Sequence, residues 1–164
     1  MSLTNNMVQW RRIYDISAET SMNVVTAMAI SPDTKKLAVY GSSVGTNFKN
    51  IFWLWTVNTS DGGHDSEALQ YTLGPVGTSE HVVFDDGIIY TSSKIFLSFL
   101  QVSPTLRKSL RGDSVGKMAI GSFNLATKTM DWVNEHSMNG YSASLVYKNY
   151  GTGQANLFVG GALD

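Results

Sequence analysis

The chain has 164 residues, of which 43% are hydrophobic and 15% are charged, so it is long enough for one packed domain and too apolar for intrinsic disorder. Its formal net charge of -1, from 12 basic and 13 acidic residues, creates no overall field that would attract nucleic acid or an anionic membrane. The absence of cysteine excludes disulfides, thiolate metal sites and cysteine nucleophiles. No apolar run approaches the roughly 18 residues of a membrane span, and the N-terminus lacks the apolar core of a secretory signal.

Apolar residues alternate or run in short stretches, and almost none have helical spacing. In chain order, the pattern predicts strands at residues 8–14, 24–31, 36–41, 51–58, 68–73, 81–84, 87–92, 94–102, 117–124, 130–134, 143–148 and 156–160. Turn-forming segments separate them, including SPDTKK, TSDGGH, DDG, MNG and YGTGQ. This rhythm predicts an all-β domain. Helix is expected only in short pieces, near residues 17–22 or within residues 104–110.

Three aromatic residues, Trp10, Tyr71 and Trp132, each open a similar stretch of sequence, about sixty residues apart. Each stretch continues with an apolar strand of small residues, a turn, and a strand that ends in Gly or Ser. The predicted units span about residues 8–67, 68–129 and 130–164. The second carries an insertion at about residues 95–116, and the third lacks its fourth strand. We expect residues 1–164 to form a single all-β segment.

The segment AMAISPDTKKLAVYGSS, followed by FWLWTVNTSDGG, resembles the blade motif of β-propeller repeat proteins of the secreted bacterial and protist type, which are related to quinoprotein-like and WD-repeat propellers. The motif positions in the first unit are occupied by Trp10, Asp33, Gly41, Asp61 and Gly62. The resemblance implies β-propeller-like blades of four antiparallel strands, each needing a neighbour to bury both its faces. A β-sandwich or jelly-roll is the structural alternative, because about a dozen short strands suit it too.

The stretch RGDSVGKM, residues 111–118, looks like two known motifs at once. A phosphate-binding loop needs four residues before its Gly-Lys pair and a hydroxyl after it. Here Gly112 and Gly116 enclose three residues, and Met118 stands in place of the hydroxyl. The Arg-Gly-Asp tripeptide lies in a polar, cationic insertion where a loop would expose it. We therefore retain a possible interaction loop, with an ordinary inter-strand loop as the alternative; its residues are Arg107, Lys108, Arg111 and Asp113.

No set of residues predicts a catalytic, cofactor-binding or metal site. The histidines at positions 64, 81 and 136 are far apart, and none has a second histidine or a cysteine at ligand spacing. Ser79, Glu80 and His81 are adjacent, but neighbouring strand residues point to opposite faces, which argues against a catalytic triad. The pair Asp85 and Asp86 lacks the spaced oxygens of a calcium loop and fits a hairpin turn.

Strand residues 51–58 contain the aromatic run Phe52-Trp53-Leu54-Trp55. Alternation places Trp53 and Trp55 on one face, with Phe52 and Leu54 on the other, so both faces are apolar. We expect both tryptophans to lie in the core. Exposed rings would instead indicate a carbohydrate-binding platform. At the end of this strand Asn58 begins an N-glycosylation pattern, which matters only if the protein is secreted.

These observations predict a non-catalytic structural or protein-interaction module, a scaffold without cofactors that associates with protein partners or with itself. The alternatives are a fragment of a propeller enzyme, quinoprotein-like or glycan-processing, and an extracellular carbohydrate-binding module. Fewer than three blades would leave an apolar face at each end, and the strand near residues 157–160 would offer unpaired backbone groups. We expect a longer polypeptide or further copies to cover these surfaces, including strand exchange through residues 8–14.

Overall fold

The computed structural model describes residues 10–14, 20–45, 50–64, 69–71, 80–82, 87–102, 117–151 and 154–163. Every regular element within these ranges is a β-strand, and all strand pairs are antiparallel, which confirms the all-β prediction. The strands form one four-stranded and one six-stranded sheet, called sheet A and sheet B below. The described residues contain no helix that is long and apolar enough to cross a membrane.

Sheet A is a meander in which each strand pairs with the next along the chain. Its strands are β1 (Thr20–Ile30), β2 (Lys36–Gly45), β3 (Asn50–Asn58) and β4 (Leu69–Tyr71). The turn between β1 and β2 is closed by Asp33, whose Oδ1 accepts hydrogen bonds from Ser31 Oγ at 2.6 Å and from the Lys35 N–H at 3.1 Å. These hydrogen bonds lower the pKa of Asp33, and the bond from Ser31 has the largest effect. The SPDTKK turn signal was therefore correct.

Sheet B contains the remaining strands in the order β10, β9, β8, β7, and then β5 and β6, which both pair with β7. The bounds are β5 (Glu80–Val82), β6 (Ile88–Tyr90), β7 (Lys94–Val102), β8 (Lys117–Asn124), β9 (Thr129–Asn149) and β10 (Ala155–Leu163). The predicted bounds of β7 and β8 agree with the structure at both ends. These two strands form the middle of the sheet.

One strand of sheet B, β9, runs for 21 residues but is not straight. Its first part pairs with β8 as far as Asn139, and its second part pairs with β10 from Gly140 onwards. The rings of Trp132 and Tyr147 both lie beside the Phe96 ring, with centroids 6.3 Å and 5.4 Å away from it. A straight strand between positions 132 and 147 would be about 50 Å long. Therefore β9 folds back on itself between these two rings.

The pairing of β9 with β8 slips between Glu135 and Asn139 and then resumes, so the reversal comes after this slip. Ala119 pairs with Glu135, whereas Lys117, two residues earlier, pairs with Asn139. The predicted MNG turn, residues 138–140, falls at the end of this stretch. The prediction of a separate turn between two strands was wrong, because these residues keep strand hydrogen bonding. The second part of β9, residues 140–149, and β10 form a two-stranded ribbon, the β9–β10 ribbon.

An apolar core lies between the two sheets. Sheet A contributes Ala38, Tyr40 and Leu54, and sheet B contributes Ile95, Leu97, Ala119 and Phe123, all buried. The hydroxyl of Tyr40 donates a hydrogen bond to the carbonyl of Ser98 at 3.0 Å, which links the two sheets inside the core. Because Phe96 alternates with Ile95 and Leu97, it points to the other face of sheet B. The β9–β10 ribbon therefore covers the outer face of that sheet.

The structure corrects several predictions of local structure. Residues 10–14 form no strand, because their alternate side chains, rather than their backbone, engage the rest of the protein. The short helix predicted near residues 17–22 is wrong where it is described, since residues 20–22 begin β1. The insertion at about residues 95–116 stays a prediction, and its first residues belong to β7, as the predicted strand at residues 94–102 required. Residues 104–110 lie outside the described residues.

The division into units at residues 8–67, 68–129 and 130–164 stays a prediction. Sheet A takes three strands, β1 to β3, from the first unit, whereas its fourth strand, β4, begins the second unit. The strand that opens the third unit, β9, pairs with β8 of the second unit in the same sheet. Among the three repeat-marking aromatics, Trp10 lies before sheet A, Tyr71 ends β4, and Trp132 lies on β9.

Candidate functional site

Strand β3 is buried on both faces, as its aromatic run predicted. Leu54 lies in the core between the sheets. On the opposite face Trp53 is 2% exposed and Trp55 is 6% exposed. This confirms the core prediction for both tryptophans. It also removes the exposed rings on which the prediction of carbohydrate binding depended, because a ring buried in the protein cannot stack on a sugar.

Residues 10–14, called the N-terminal arm below, cover part of this outer face of sheet A. The arm contacts residues 58–64, the turn that follows β3, called the β3 turn below. Three alternate side chains of the arm donate hydrogen bonds to carbonyls of the turn. Trp10 Nε1 donates to Thr59 O at 2.9 Å, Arg12 Nε to Asp61 O at 2.8 Å, and Tyr14 OH to Gly62 O at 2.6 Å.

The β3 turn is itself built by short-range hydrogen bonds. Asn58 donates its N–H to Gly63 O at 2.6 Å and accepts the Gly62 N–H at 2.9 Å, while Asp61 Oδ1 accepts the Gly63 N–H at 2.8 Å. Gly62 has φ 69°, the left-handed region that favours glycine. A Cβ on Gly62 would lie 2.7 Å from ring carbons of Trp10 and 2.8 Å from the Tyr14 hydroxyl. The arm therefore fits this turn only because residue 62 is glycine.

Aromatic rings complete the contact between the arm and the turn. The Tyr14 ring lies edge-on to Trp55 at a centroid distance of 5.0 Å, and the His64 ring lies 4.4 Å from Trp55. Burial raises the pKa of the Tyr14 hydroxyl, and the nearby positive charge of Arg12 partly offsets this effect. The neutral hydroxyl therefore remains a hydrogen-bond donor to the Gly62 carbonyl throughout the physiological pH range.

The first exposed apolar surface lies on β1, at the edge of sheet A. Val25, Met28 and Ile30 are 54%, 61% and 52% exposed. They pair with Gly41, Val39 and Leu37 of β2, so all three point to the outer face of the sheet. We call these three side chains the β1 strip. It continues the apolar face formed by the buried tryptophans of β3, but no described residue covers it.

The second exposed apolar surface lies on the β9–β10 ribbon. Val146 and Phe158 pair across the two strands and are 57% and 49% exposed. We call them the ribbon pair. The alternate residues Tyr147 and Leu157 are half-buried and lie on the side of the ribbon that faces sheet B. The ribbon therefore has two apolar sides, of which only one is covered by described residues.

One ion pair lies at the end of the outer face of sheet B. Lys94 Nζ is 2.8 Å from Asp131 Oδ2, and Asn124 Nδ2 donates to Asp131 Oδ1 at 3.2 Å. These hydrogen bonds lower the pKa of Asp131, and the bond from Lys94 has the largest effect. Asn124 also accepts the Ala126 N–H at 2.9 Å, which closes the β8–β9 hairpin. The cluster connects three strands, and we assign it a structural role.

The structure places the sequence-predicted site residues as follows. Asn58 is half-buried at the end of β3, and its Oδ1 accepts a hydrogen bond from Lys36 Nζ at 2.6 Å; its glycosylation stays a prediction. The proposed interaction loop lies outside the described residues, namely Arg107, Lys108, Arg111 and Asp113. In the described part of the chain, no three His, Asp or Glu residues come together as metal ligands.

The sequence could have revealed the β1 strip and the ribbon pair only in part. Alternation marked Met28 and Ile30 as one face of a strand, and Val146 and Phe158 as apolar strand residues. Exposure of these faces depends on what packs against them, which alternation does not encode. Comparisons of the chain with protein-family models, with curated proteins and with solved structures find no match.

Proposed function

We propose that this chain is a non-catalytic structural or protein-interaction module, built of β-propeller-type repeats and working within a larger assembly. The observation that carries the proposal is the pair of exposed apolar surfaces, the β1 strip on edge strand β1 and the ribbon pair on the β9–β10 ribbon. Contiguous apolar surface that is exposed on a monomer commonly marks a site of association. The near-neutral net charge suits a protein partner better than a polyanion.

The edge strands favour association in which the faces of two sheets pack together, rather than association by adding a further strand to an edge. The pairing of β1 with β2 shifts register between Val25 and Ala27, and the pairing of β10 with β9 shifts between Gly160 and Gly161. Bulges of this kind twist an edge strand and interrupt the row of groups that another strand would need. An apolar face beside a bulged edge is instead suited to pack flat against another sheet, as neighbouring propeller blades do.

The test is sedimentation velocity of the 164-residue chain over a range of concentrations. We expect the wild-type protein to associate, and the variants Met28→Glu and Phe158→Lys to shift the association to higher concentrations by about tenfold or more, since each places a charge in an apolar contact. Ser92→Lys is the control, because residue 92 is exposed and polar and lies in the turn between β6 and β7, outside both surfaces. Its association should match the wild type.

A wild-type chain that remains a monomer at every concentration, with a cooperative unfolding transition, would contradict association with itself. It would also favour the β-sandwich alternative over the propeller-type arrangement, because a closed sandwich needs no neighbour. Equal association of wild type, Met28→Glu and Phe158→Lys would show that self-association uses another surface. Circular dichroism of each variant verifies that the fold is unchanged.

A further inference from the structure

We infer that the β3 turn is a receptor site for an extended Trp-x-Arg-x-Tyr segment, and that the N-terminal arm of a second copy of this chain can occupy it in place of the chain's own arm. This site uses neither the β1 strip nor the ribbon pair. The inference therefore goes beyond the proposed function, and different variants test the two.

The contacts between the arm and the turn follow a regular pattern. The arm presents residues 10, 12 and 14 to the turn, at the spacing that puts side chains on one side of an extended chain. Each donates one hydrogen bond to a backbone carbonyl within residues 59–62. Ile13, between two of these residues, points away from the turn and is 90% exposed. The turn therefore recognises three donors in a fixed spacing, as a peptide-binding site does.

The shape of the site adds a second requirement. The missing side chain at Gly62 makes the space in which the Trp10 ring and the Tyr14 hydroxyl lie. Trp55 supplies the ring against which Tyr14 packs. An aromatic residue with a hydrogen-bond donor is needed at both ends of the segment, since the ring fills the space and the donor satisfies a carbonyl. These requirements are specific, and the arm meets all of them.

The mode of attachment lets one arm replace another. In the part of the chain that the structure describes, no backbone hydrogen bond joins residues 10–14 to either sheet. The arm is held through its side chains, so an identical arm from another copy would make the same contacts. Exchange of an identical segment between protomers replaces each intramolecular contact by an equal intermolecular one. The protein concentration and the covalent connection then decide which arm is bound.

The covalent connection from the arm to β1 is short. Thr20 begins β1 opposite Gly45, whereas the β3 turn follows Asn58, which pairs with Lys36 at the other end of the sheet. From Tyr14 to Thr20 there are six residue steps, which span at most about 20 Å. The length of β3 from Trp55 to Asn50 alone is about 17 Å. A connection of so few residues favours exchange of the arm between copies, because a short connection limits where the chain's own arm can bind and exchange removes that limit.

The experiment uses the full chain, which has no cysteine of its own and so accepts one labelled thiol per copy. A donor dye is attached in Ile13→Cys and an acceptor dye in Ser60→Cys, both at exposed positions. The two populations are mixed, and energy transfer between copies is measured against protein concentration. We expect transfer that grows with concentration. Adding Trp10→Ala to the donor copy should weaken the exchange by about tenfold or more, equivalent to about 1.4 kcal/mol.

Two controls separate this site from the exposed apolar surfaces. Arg11→Ala in the donor copy should leave the transfer unchanged, because residue 11 is exposed and lies between the contact residues 10 and 12 without being one of the three donors. Adding Met28→Glu and Phe158→Lys to both copies should also leave it unchanged, whereas these changes reduce association through the β1 strip and the ribbon pair. If Trp10→Ala disturbs the circular dichroism spectrum, Tyr14→Phe is used instead, since it removes only the hydroxyl that donates to Gly62.

Two results would overturn the inference. One is an absence of transfer between copies at the highest soluble concentration, together with strong transfer inside a single chain that carries both labels; the arm would then bind only its own turn. The other is transfer that persists in full with Trp10→Ala or Tyr14→Phe, because proximity would then come from another contact between copies. Either result leaves the sedimentation test of the proposed function unaffected.

Discussion

Sheet A and sheet B share one core, but their outer faces are covered in different ways. Sheet B is covered by a continuation of its own strand, because β9 folds back and brings β10 with it. Sheet A is covered at β3 by the N-terminal arm, while its edge strand β1 exposes the β1 strip. Each sheet therefore buries part of its outer face, but only sheet B does so with strands that follow directly in the chain.

The comparison shows that covering depends on chain connectivity more than on the apolar character of the covered face. The outer face of sheet B includes Ser98 and Ser122, both completely buried. The outer face of sheet A is richer in apolar side chains, yet Met28 and Ile30 are more than half exposed. A segment that is continuous with its target is held near it at small entropic cost, which lets it bury even a partly polar surface.

The largest loss of stability is expected for a tryptophan on the outer face of sheet A, compared with one on the outer face of sheet B. Trp53 is almost completely buried, whereas Trp132 on β9 is 37% exposed. Replacing Trp53 by Ala should lower the free energy of unfolding by about 3 to 5 kcal/mol, because it removes a large buried ring and leaves a cavity. Trp132→Ala should cost about 1 to 2 kcal/mol, since much of its ring contacts water already. Urea unfolding followed by circular dichroism measures both.

Equal costs for the two tryptophans would contradict the assignment of Trp53 to the covered part of sheet A. A native-like midpoint for Trp53→Ala would also contradict the burial of β3 on both faces. If Trp53→Ala does not fold, Trp53→Phe provides the measurement, because it keeps part of the ring volume.

The second prediction tests how closely side chains pack on the outer face of sheet B. A Cβ at Gly87 would overlap the Ser98 hydroxyl and approach Leu145 Cγ of the ribbon at 3.1 Å. Gly87→Ala should therefore destabilise the protein by about 1 to 3 kcal/mol, the usual cost of overpacking. Gly160→Ala is the control, since its Cβ would meet only the Ser144 hydroxyl, at 2.9 Å, at the end of an exposed side chain that can rotate away. A cost for Gly87→Ala that is no greater than the control would contradict close packing around Gly87.

The third prediction concerns the polar atoms that the ribbon buries. Ser122 Oγ is buried and has no hydrogen-bond partner among the described residues. Ser122→Ala removes a hydroxyl that loses water on folding without a bond in return, so it should stabilise the protein by about 0.5 to 1 kcal/mol. Thermal or urea unfolding would show this as a higher midpoint. A lower midpoint would mean that the hydroxyl is bonded in solution, which a buried water could provide.

The smallest expected effect is the pH dependence of the Asp131 cluster on sheet B. The hydrogen bond from Lys94 lowers the pKa of Asp131 below the ordinary 3.8. A lowered pKa stabilises the fold above pH 3.8, and this contribution is lost as the pH falls through the folded pKa. The stability difference between wild type and Asp131→Asn should therefore be present at neutral pH and should disappear in acid. A difference that is equal at neutral and acid pH would contradict this role, and Lys94→Met should reproduce the loss at neutral pH.

Much of the fold could be predicted from the sequence because local alternation of apolar and polar residues indicates a strand. The bounds of β7 and β8, the SPDTKK turn and the burial of Trp53 and Trp55 were all predicted correctly. The arm was predicted wrongly as a strand because Trp10, Arg12 and Tyr14 alternate as strand residues do. Their partners are carbonyls of a turn about fifty residues away, which no local pattern reveals.

The all-β class, most strand positions and the apolar nature of both faces of β3 follow from the sequence, since these depend on neighbouring residues and on the two-residue period of a strand. Which of the apolar faces are covered depends on the packing of segments that are distant in the chain. The second part of β9 folds over Phe96 and covers the outer face of sheet B, and the N-terminal arm packs at Gly62 and covers part of the outer face of sheet A. The β1 strip stays exposed because covering a face requires a second segment to arrive from elsewhere in the chain, or from another molecule.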